Sequence, residues 1–318
     1  MGDSSANVVP SGWYNAGEFG DGNISGTDLN AAFNASLGFQ LPPNDSDVFS
    51  AMDAWPKDTA GAWGGDSEIL FNDVAIIRER MKRIDGDNYV RVRLPNGTKT
   101  TIGPTGILSG RADSPAPTFA LLPGAVWVKQ AHLMAGVITN AQPGQTVSVP
   151  VTLDLDGTNA VSGLMFSAVV RPQGGTGSAI TDAAFVPAAG RPASSIPTGV
   201  TVPAGAIACY WEDLGTLMQG KGNLLGHINF TVPANAAAGQ CFVVRFLSGS
   251  GGDTSSENSS NWRQPNFELI PGRVFVLSVA TPLPARMPDN WRTMFFRTVD
   301  NPDGEWDADP DHDGVPNW

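Results

Sequence analysis

The sequence predicts a mainly β protein: an antiparallel β-sandwich, a small α-helical segment before it and an acidic tail behind it. Three observations carry that expectation. Gly (37) and Pro (25) are abundant while charged residues make up only 16% of the 318, a composition of many turns and short strands. Alternating apolar runs fill the middle of the chain, as in Val147, Val149, Val151 and Leu153, the period of a strand with one face buried. Helical spacing is confined to residues 1–85.

At 41% hydrophobic residues the chain can bury a core, so global disorder is excluded. The formal net charge of −12 repels phosphate backbones, and no basic stripe with interleaved aromatics offsets it, which excludes nucleic acid as a partner. No run of eighteen apolar residues occurs, so no helical membrane span is expected. The start, Met1-Gly2-Asp3-Ser4-Ser5, lacks a basic and then apolar leader; either a signal peptide has been removed or the protein is not exported. Few lysines and many Asn, Ser, Thr and Gly residues favour export. Cys209 and Cys241 both fall in strand-like segments, which suits a disulfide or two buried thiols equally.

Residues 1–85 hold three helical patterns. Leu29, Ala32, Phe33 and Leu37 follow Asp28; Val48, Met52 and Trp55 follow Asp45-Ser46-Asp47; Val74, Ile77 and Met81 follow Asn72-Asp73. The last ends in Arg78, Arg80, Lys82 and Arg83, and an acidic start with a basic finish suits the helix dipole. Residues 86–118 join this segment to the next. Tyr89–Leu94 and Thr98–Ile102 flank Pro95-Asn96-Gly97, a hairpin signal, and Ser109–Thr118 reads as a linker. The sandwich is expected over 119–280, with strands over Thr146–Leu153, Leu164–Ala168, Gly226–Val232, Cys241–Leu247 and Arg273–Val279. A Pro- and Asp-rich tail occupies 281–318.

Three acidic loops have spacings that suit Ca2+, a hard ion wanting six to eight oxygens from a short loop. In the tail, Asp307, Asp309, Asp311 and Asp313 alternate before Gly314 and Asn317. Alternate acids point to one side and repel one another unless neutralised; a solvated acidic linker is the alternative. Trp318 falls inside this motif, so the motif is expected to continue past it. The second loop runs Glu18, Asp21, Gly22, Asn23, Ile24, Ser25 and Asp28 into the first helix. It follows EF-hand logic, although Asp28 also serves as a plain cap. The third runs Asp66, Ser67, Glu68, Ile69 and Asp73 into the third helix, with Asp53 or Asp58 as an upstream first ligand. Helix capping competes with metal binding here too.

Two loop–helix units in tandem over residues 11–85 resemble a dockerin module, which pairs two EF-hand-like calcium loops with short helices. The first loop departs by being one residue short and beginning with Glu18, the second by an insertion around Thr59–Gly64. Gly144–Leu153, Asn159–Phe166, Gly226–Val232 and Ala236–Gly239 resemble a cohesin domain, the β-sandwich partner of dockerins. Asp309, Asp311, Asp313, Gly314 and Asn317 are similar to the opening of a thrombospondin type 3 calcium repeat. Together these resemblances imply a calcium-dependent, non-catalytic scaffold or adhesion protein, secreted to a bacterial cell surface. Its expected partners are other protein modules or copies of itself.

No His-Glu-x-x-His, Gly-x-Ser-x-Gly or phosphate-loop pattern accompanies the three histidines, His132, His227 and His312, so no catalytic residue is expected. Glu212-Asp213 beside Trp211 is the one carboxylate pair with an aromatic neighbour in the sandwich; a solvated loop accounts for it. The alternative function is a carbohydrate-binding module. Tyr210, Trp211, Trp262 and Trp127 would be its aromatic platform, and core packing is the competing explanation for each.

Overall fold

The computed structural model describes residues 24–44, 46–58, 63–82, 90–93, 99–102, 130–174, 179–256 and 262–277, with Met294. Helices and sheets fall in one compact unit, Met1–Val276, and Leu277–Trp318 form a second. None of the described helices is long and apolar enough to cross a membrane.

Two five-stranded sheets build the sandwich. The first runs β13 (Phe267–Ile270), β3 (Ala131–Ala135), β5 (Thr146–Leu155), β11 (Asn223–Thr231) and β8 (Ala184–Pro187). The second runs β4 (Val137–Ala141), β14 (Gly272–Val276), β12 (Cys241–Gly252), β7 (Gly163–Pro172) and β9 (Ala206–Trp211). Only the β13–β3 and β14–β4 pairs are parallel within these sheets. The Asn-Gly signal corresponds to a hairpin of β1 (Val90–Arg93) and β2 (Lys99–Ile102), and β6 (Ala160–Val161) pairs with β10 (Met218–Gln219).

The alternation read in the sequence is physical in β5, where Val147, Val149, Val151 and Leu153 are buried between the sheets. They meet Phe166, Ile228, Phe230, Phe242 and Val244 in one core. Phe166 centres an aromatic cluster, with Phe185, Trp211 and Phe246 at centroid distances of 5.4, 5.9 and 5.7 Å. Offset and edge-on rings are the favoured arrangements at such distances. Cys209 and Cys241 are free and buried, in two strands separated by β7, and burial raises both thiol pKa values.

Strand β7 departs from alternation, since every residue from Gly163 to Val170 is buried. Leu164, Phe166, Ala168 and Val170 face the sandwich core, whereas Met165 belongs to a second core. That second core is helical: α1 (Gly26–Ser36), α2 (Asp47–Met52) and α3 (Phe71–Met81) contribute Leu29, Phe33, Phe49, Met52, Phe71, Val74 and Ile77. Met165, Tyr210 and Trp262 from the sandwich complete it. A strand covered on both sides must be apolar or small on both.

A β-bulge makes the covered face. The β12–β7 register shifts between Phe246 and Ser248. Before the shift Phe242, Val244 and Phe246 point into the sandwich core; after it Gly249 and Gly251 take the inward positions, so Ser248, Ser250 and Gly252 face the helices. One extra residue is what reverses the parity of a strand.

Because the helices and the sandwich share this second core, we expect one cooperative unfolding transition. Phe71→Ala should lower stability by about 3–5 kcal/mol, measured by urea titration. The helical circular dichroism and the tryptophan fluorescence should shift together.

Candidate functional site

The helix–sheet junction is the most specifically built contact in the described structure. Two helix ends meet one sheet, and helix ends carry backbone groups with no partner inside the helix. At the C-terminal end of α1, the Ser167 hydroxyl donates to the Leu37 carbonyl at 2.5 Å. The Ser248 hydroxyl donates to the Ser36 carbonyl. At the N-terminal end of α3, the Phe71 amide donates to the Ser250 hydroxyl at 3.0 Å and the Asn72 amide to the Gln264 side-chain oxygen at 3.2 Å. Sheet side chains therefore act as caps for both helices.

Shape adds to these caps. Gly163 and Gly252 are directly opposite one another on β7 and β12. A side chain at Gly163 would fall on the Phe71 ring and the Glu212 carbonyl, and one at Gly252 on the Asn72 side-chain oxygen and the Arg263 carbonyl. The paired glycines leave a notch that the first turn of α3 fills. Close backbone approach is the reason for glycine here. The Asn72 side chain is fully buried in this notch, with no hydrogen-bond partner for either amide atom among the described residues.

Charge closes the far end. Arg78 forms an ion pair with Glu212 and donates to the Tyr210 hydroxyl at 3.2 Å, while Lys82 reaches Glu212 at 3.3 Å. Burial pushes the Tyr210 phenol up to about 12. Glu212 thus anchors α3. On the other side, Asn30 of α1 donates to the Thr198 carbonyl, and Ile196 and Val200 pack on the helical core. The β8–β9 connection clasps α1 against the sheet.

The aromatic platform of the alternative, carbohydrate-binding reading does not form at Tyr210, Trp211 and Trp262. Tyr210, Trp211 and Trp262 are only 1%, 2% and 3% exposed. The Trp211 indole donates to the Pro192 carbonyl and that of Trp262 to the Ser256 carbonyl. Tyr210 and Trp262 are buried under the helices and Trp211 inside the sandwich, so none of these rings can stack on a sugar. Trp127 lies outside the described residues.

Among the calcium ligands expected from sequence, Glu18, Asp21, Asn23, Asp309, Asp311, Asp313 and Asn317 lie outside the described residues. Ser25 and Asp28 form a capping box on α1, with the Ser25 amide and hydroxyl donating to Asp28 at 2.8 and 3.0 Å. In the other loop, Asp53, Asp66 and Asp73 come together. Asp53 accepts from the Asp66 and Ser67 amides at 2.9 and 3.0 Å. Asp73 accepts from Ala54, Trp55 and Leu70 at 2.7–2.8 Å. Asp58 is engaged by the Gly64 amide at 2.6 Å. Glu68 is exposed, and its amide donates to Asp66.

Electrostatics at this loop are unfavourable. Burial, and then repulsion from Asp53, push the Asp66 carboxyl up to about 7. Asp73 is raised well above its ordinary value by burial and by Asp53 and Asp66. Burial and like charge disfavour the ionised form of such a cluster, the amide hydrogen bonds favour it, and a cation beside it would favour it further. The donor set, all carboxylate oxygen, fits a hard cation such as Ca2+ in chemistry. Among the described residues no three His, Cys, Asp or Glu side chains surround a common point. Ligation would require these carboxylates to turn from the amides that hold them.

Comparison with known proteins adds a likeness of fold. No protein-family model and no curated protein matches the sequence. Among solved structures, the chain is similar to the seventh ScaB type I cohesin of Pseudobacteroides cellulosolvens, with 17% identity and a TM-score of 0.36. That match covers 50% of this chain and 99% of the cohesin. It is also similar to the sixth cohesin of Acetivibrio cellulolyticus scaffoldin B, solved with a Cel5 dockerin, at 18% identity and a TM-score of 0.32 over 46% of this chain and 99% of that one. A cohesin module of a Clostridium perfringens family 33 glycoside hydrolase matches at 11% identity and a TM-score of 0.31, over 47% and 98%. At these identities the likeness is one of fold alone.

Gly163→Ala tests the notch directly. The added methyl should displace α3, at a cost of about 1–3 kcal/mol for overpacking. Faster hydrogen exchange in peptides covering residues 71–82, against unchanged exchange in β5, is the expected readout.

Proposed function

We propose that this chain is a non-catalytic, calcium-dependent scaffold or adhesion protein of an extracellular bacterial assembly, working through protein–protein contact. The observation that carries the reading is the helix–sheet junction: a helical segment with acidic loops docks, end-capped and shape-matched, on the outer face of a β-sandwich. Its dockerin-like and cohesin-like resemblances make this a pairing of complementary modules within one chain. In the closed chain the two surfaces satisfy each other; when they part, each can take the matching surface of another protein module or another copy. The extracellular placement rests on composition and on the resemblances.

Calcium enters through the loop before α3. Asp53, Asp66 and Asp73 would hold the ion with carboxylate oxygens, which would neutralise their mutual repulsion. Asp73 sits in the same helical turn as Phe71 and Asn72, whose amides Ser250 and Gln264 cap. The loop and the docking surface are therefore mechanically joined.

Two measurements test the reading. In EGTA at neutral pH, Asp66→Asn should melt at or above the temperature of the parent, because one like charge is gone. Added calcium should then raise the parent's melting temperature, as a ligand bound only by the folded state does, and leave the variant unmoved. A parent indifferent to both calcium and EGTA would remove calcium from the proposal. For the pairing, Phe71→Ala should loosen α3 and convert a monomer into concentration-dependent oligomers in sedimentation velocity. Strict monomers at every concentration, with α3 shown by hydrogen exchange to be undocked, would sink it.

A further inference from the structure

On the first sheet, far in sequence from the helices, one imidazole lies between two carboxylates. His132 on β3 has Nδ1 2.8 Å from Glu268 Oε2 and Nε2 3.1 Å from Asp156 Oδ2. Glu268 is the direct partner of His132 across the parallel β13–β3 pair, and Asp154 is its partner on β5. Asp154 accepts from the Gly222 amide, and Lys221 lies 3.7 Å from Asp156. Among the described residues, the ionisable groups facing the imidazole are thus Glu268 from β13, Asp154 and Asp156 from β5 and its end, and Lys221 from the turn before β11.

A neutral imidazole has one N–H and one lone pair; only the imidazolium donates from both nitrogens. With both nitrogens at hydrogen-bonding distance from carboxylate oxygens, the observed arrangement is that of the charged ring. Removing the proton sets a lone pair against one carboxylate and leaves Glu268, Asp154 and Asp156 with Lys221 as their one nearby cation among the described residues. The element most exposed to that change is β13, four residues long at the edge of its sheet. It follows directly the arm that carries Trp262 and Gln264 onto the helical core.

We infer that His132 is a protonation-dependent clasp that fastens edge strand β13, and through it the Trp262–Gln264 arm, so that the helix–sheet junction is tighter in mildly acidic than in alkaline solution. The two hydrogen bonds, and then the nearby negative charges, raise the pKa of the ring above its ordinary 6.5. A raised value on a cationic group fixes the sign. The stabilisation is complete below 6.5, where the unfolded ring is also charged, and is lost as pH rises through the higher folded value.

The experiment compares the full chain with His132→Gln and Glu268→Gln at pH 5.5 and pH 9. Both variants should melt below the parent at pH 5.5 and together with it at pH 9. Hydrogen exchange in the peptide covering 262–271 should be several-fold faster in the variants at pH 5.5 and equal to the parent at pH 9. Equal destabilisation at both pH values would indicate lost packing and overturn the clasp. A pH-dependent melting difference with no change in the 262–271 peptide would overturn its connection to the arm.

Discussion

The outer face of the second sheet cannot be left to water, and much of the architecture follows from that. Met165 and Tyr210 point out of β7 and β9, and Trp262 leans in from the loop after β12, so an apolar layer stands on the wrong side of an otherwise complete sandwich. Phe33, Leu37 and Phe71 cover it, with Phe33 and Phe71 packing on the Tyr210 ring at 4.7 and 5.9 Å. Burial of large aromatic and aliphatic side chains is worth about 1.5–3 kcal/mol each. No short helix has that stability alone in water. The helical segment and the sheet face therefore stabilise one another.

Orientation comes from the polar groups inside this layer. Apolar contact alone would let the helices slide, whereas Ser167, Ser248, Ser250 and Gln264 each meet one particular backbone group. The bulge at Leu247 is what brings two of those serines to the helical side. Glu212 then fixes the far end of α3 through Arg78 and Lys82; as exposed pairs these add direction more than stability.

Much of the sandwich was legible in the sequence, because a strand with one wet face writes its burial as alternation. Val147 to Leu153 did so, and the helical spacing of Leu29, Phe33 and Leu37 likewise identified the face that α1 buries. What alternation could not convey was that Met165 and Ser167, on the outward positions of β7, face helices rather than solvent. For the same reason Tyr210 and Trp262 were open to reading as a sugar platform. The bulge had no marker residue in Phe246-Leu247-Ser248-Gly249. In the acidic loop, the sequence left Asp53 and Asp58 open as upstream residues; Asp53 accepts from the Asp66 and Ser67 amides, and Asp58 accepts from the Gly64 amide. The pairing of His132 with Glu268 spans 136 positions and depends on a parallel strand that local patterns do not specify.

The glycine notch and its serine neighbours have a consequence for how the chain comes into being. Phe71 leaves the ribosome 179 residues before Ser250, the hydroxyl that receives its amide. Throughout that interval the seat of α1 and α3 is incomplete, because β12 and the Trp262 arm have not been made. The helical segment is thus made well before the strand that caps it, and nascent chains must shield Phe33, Leu37 and Phe71 until β12 has followed.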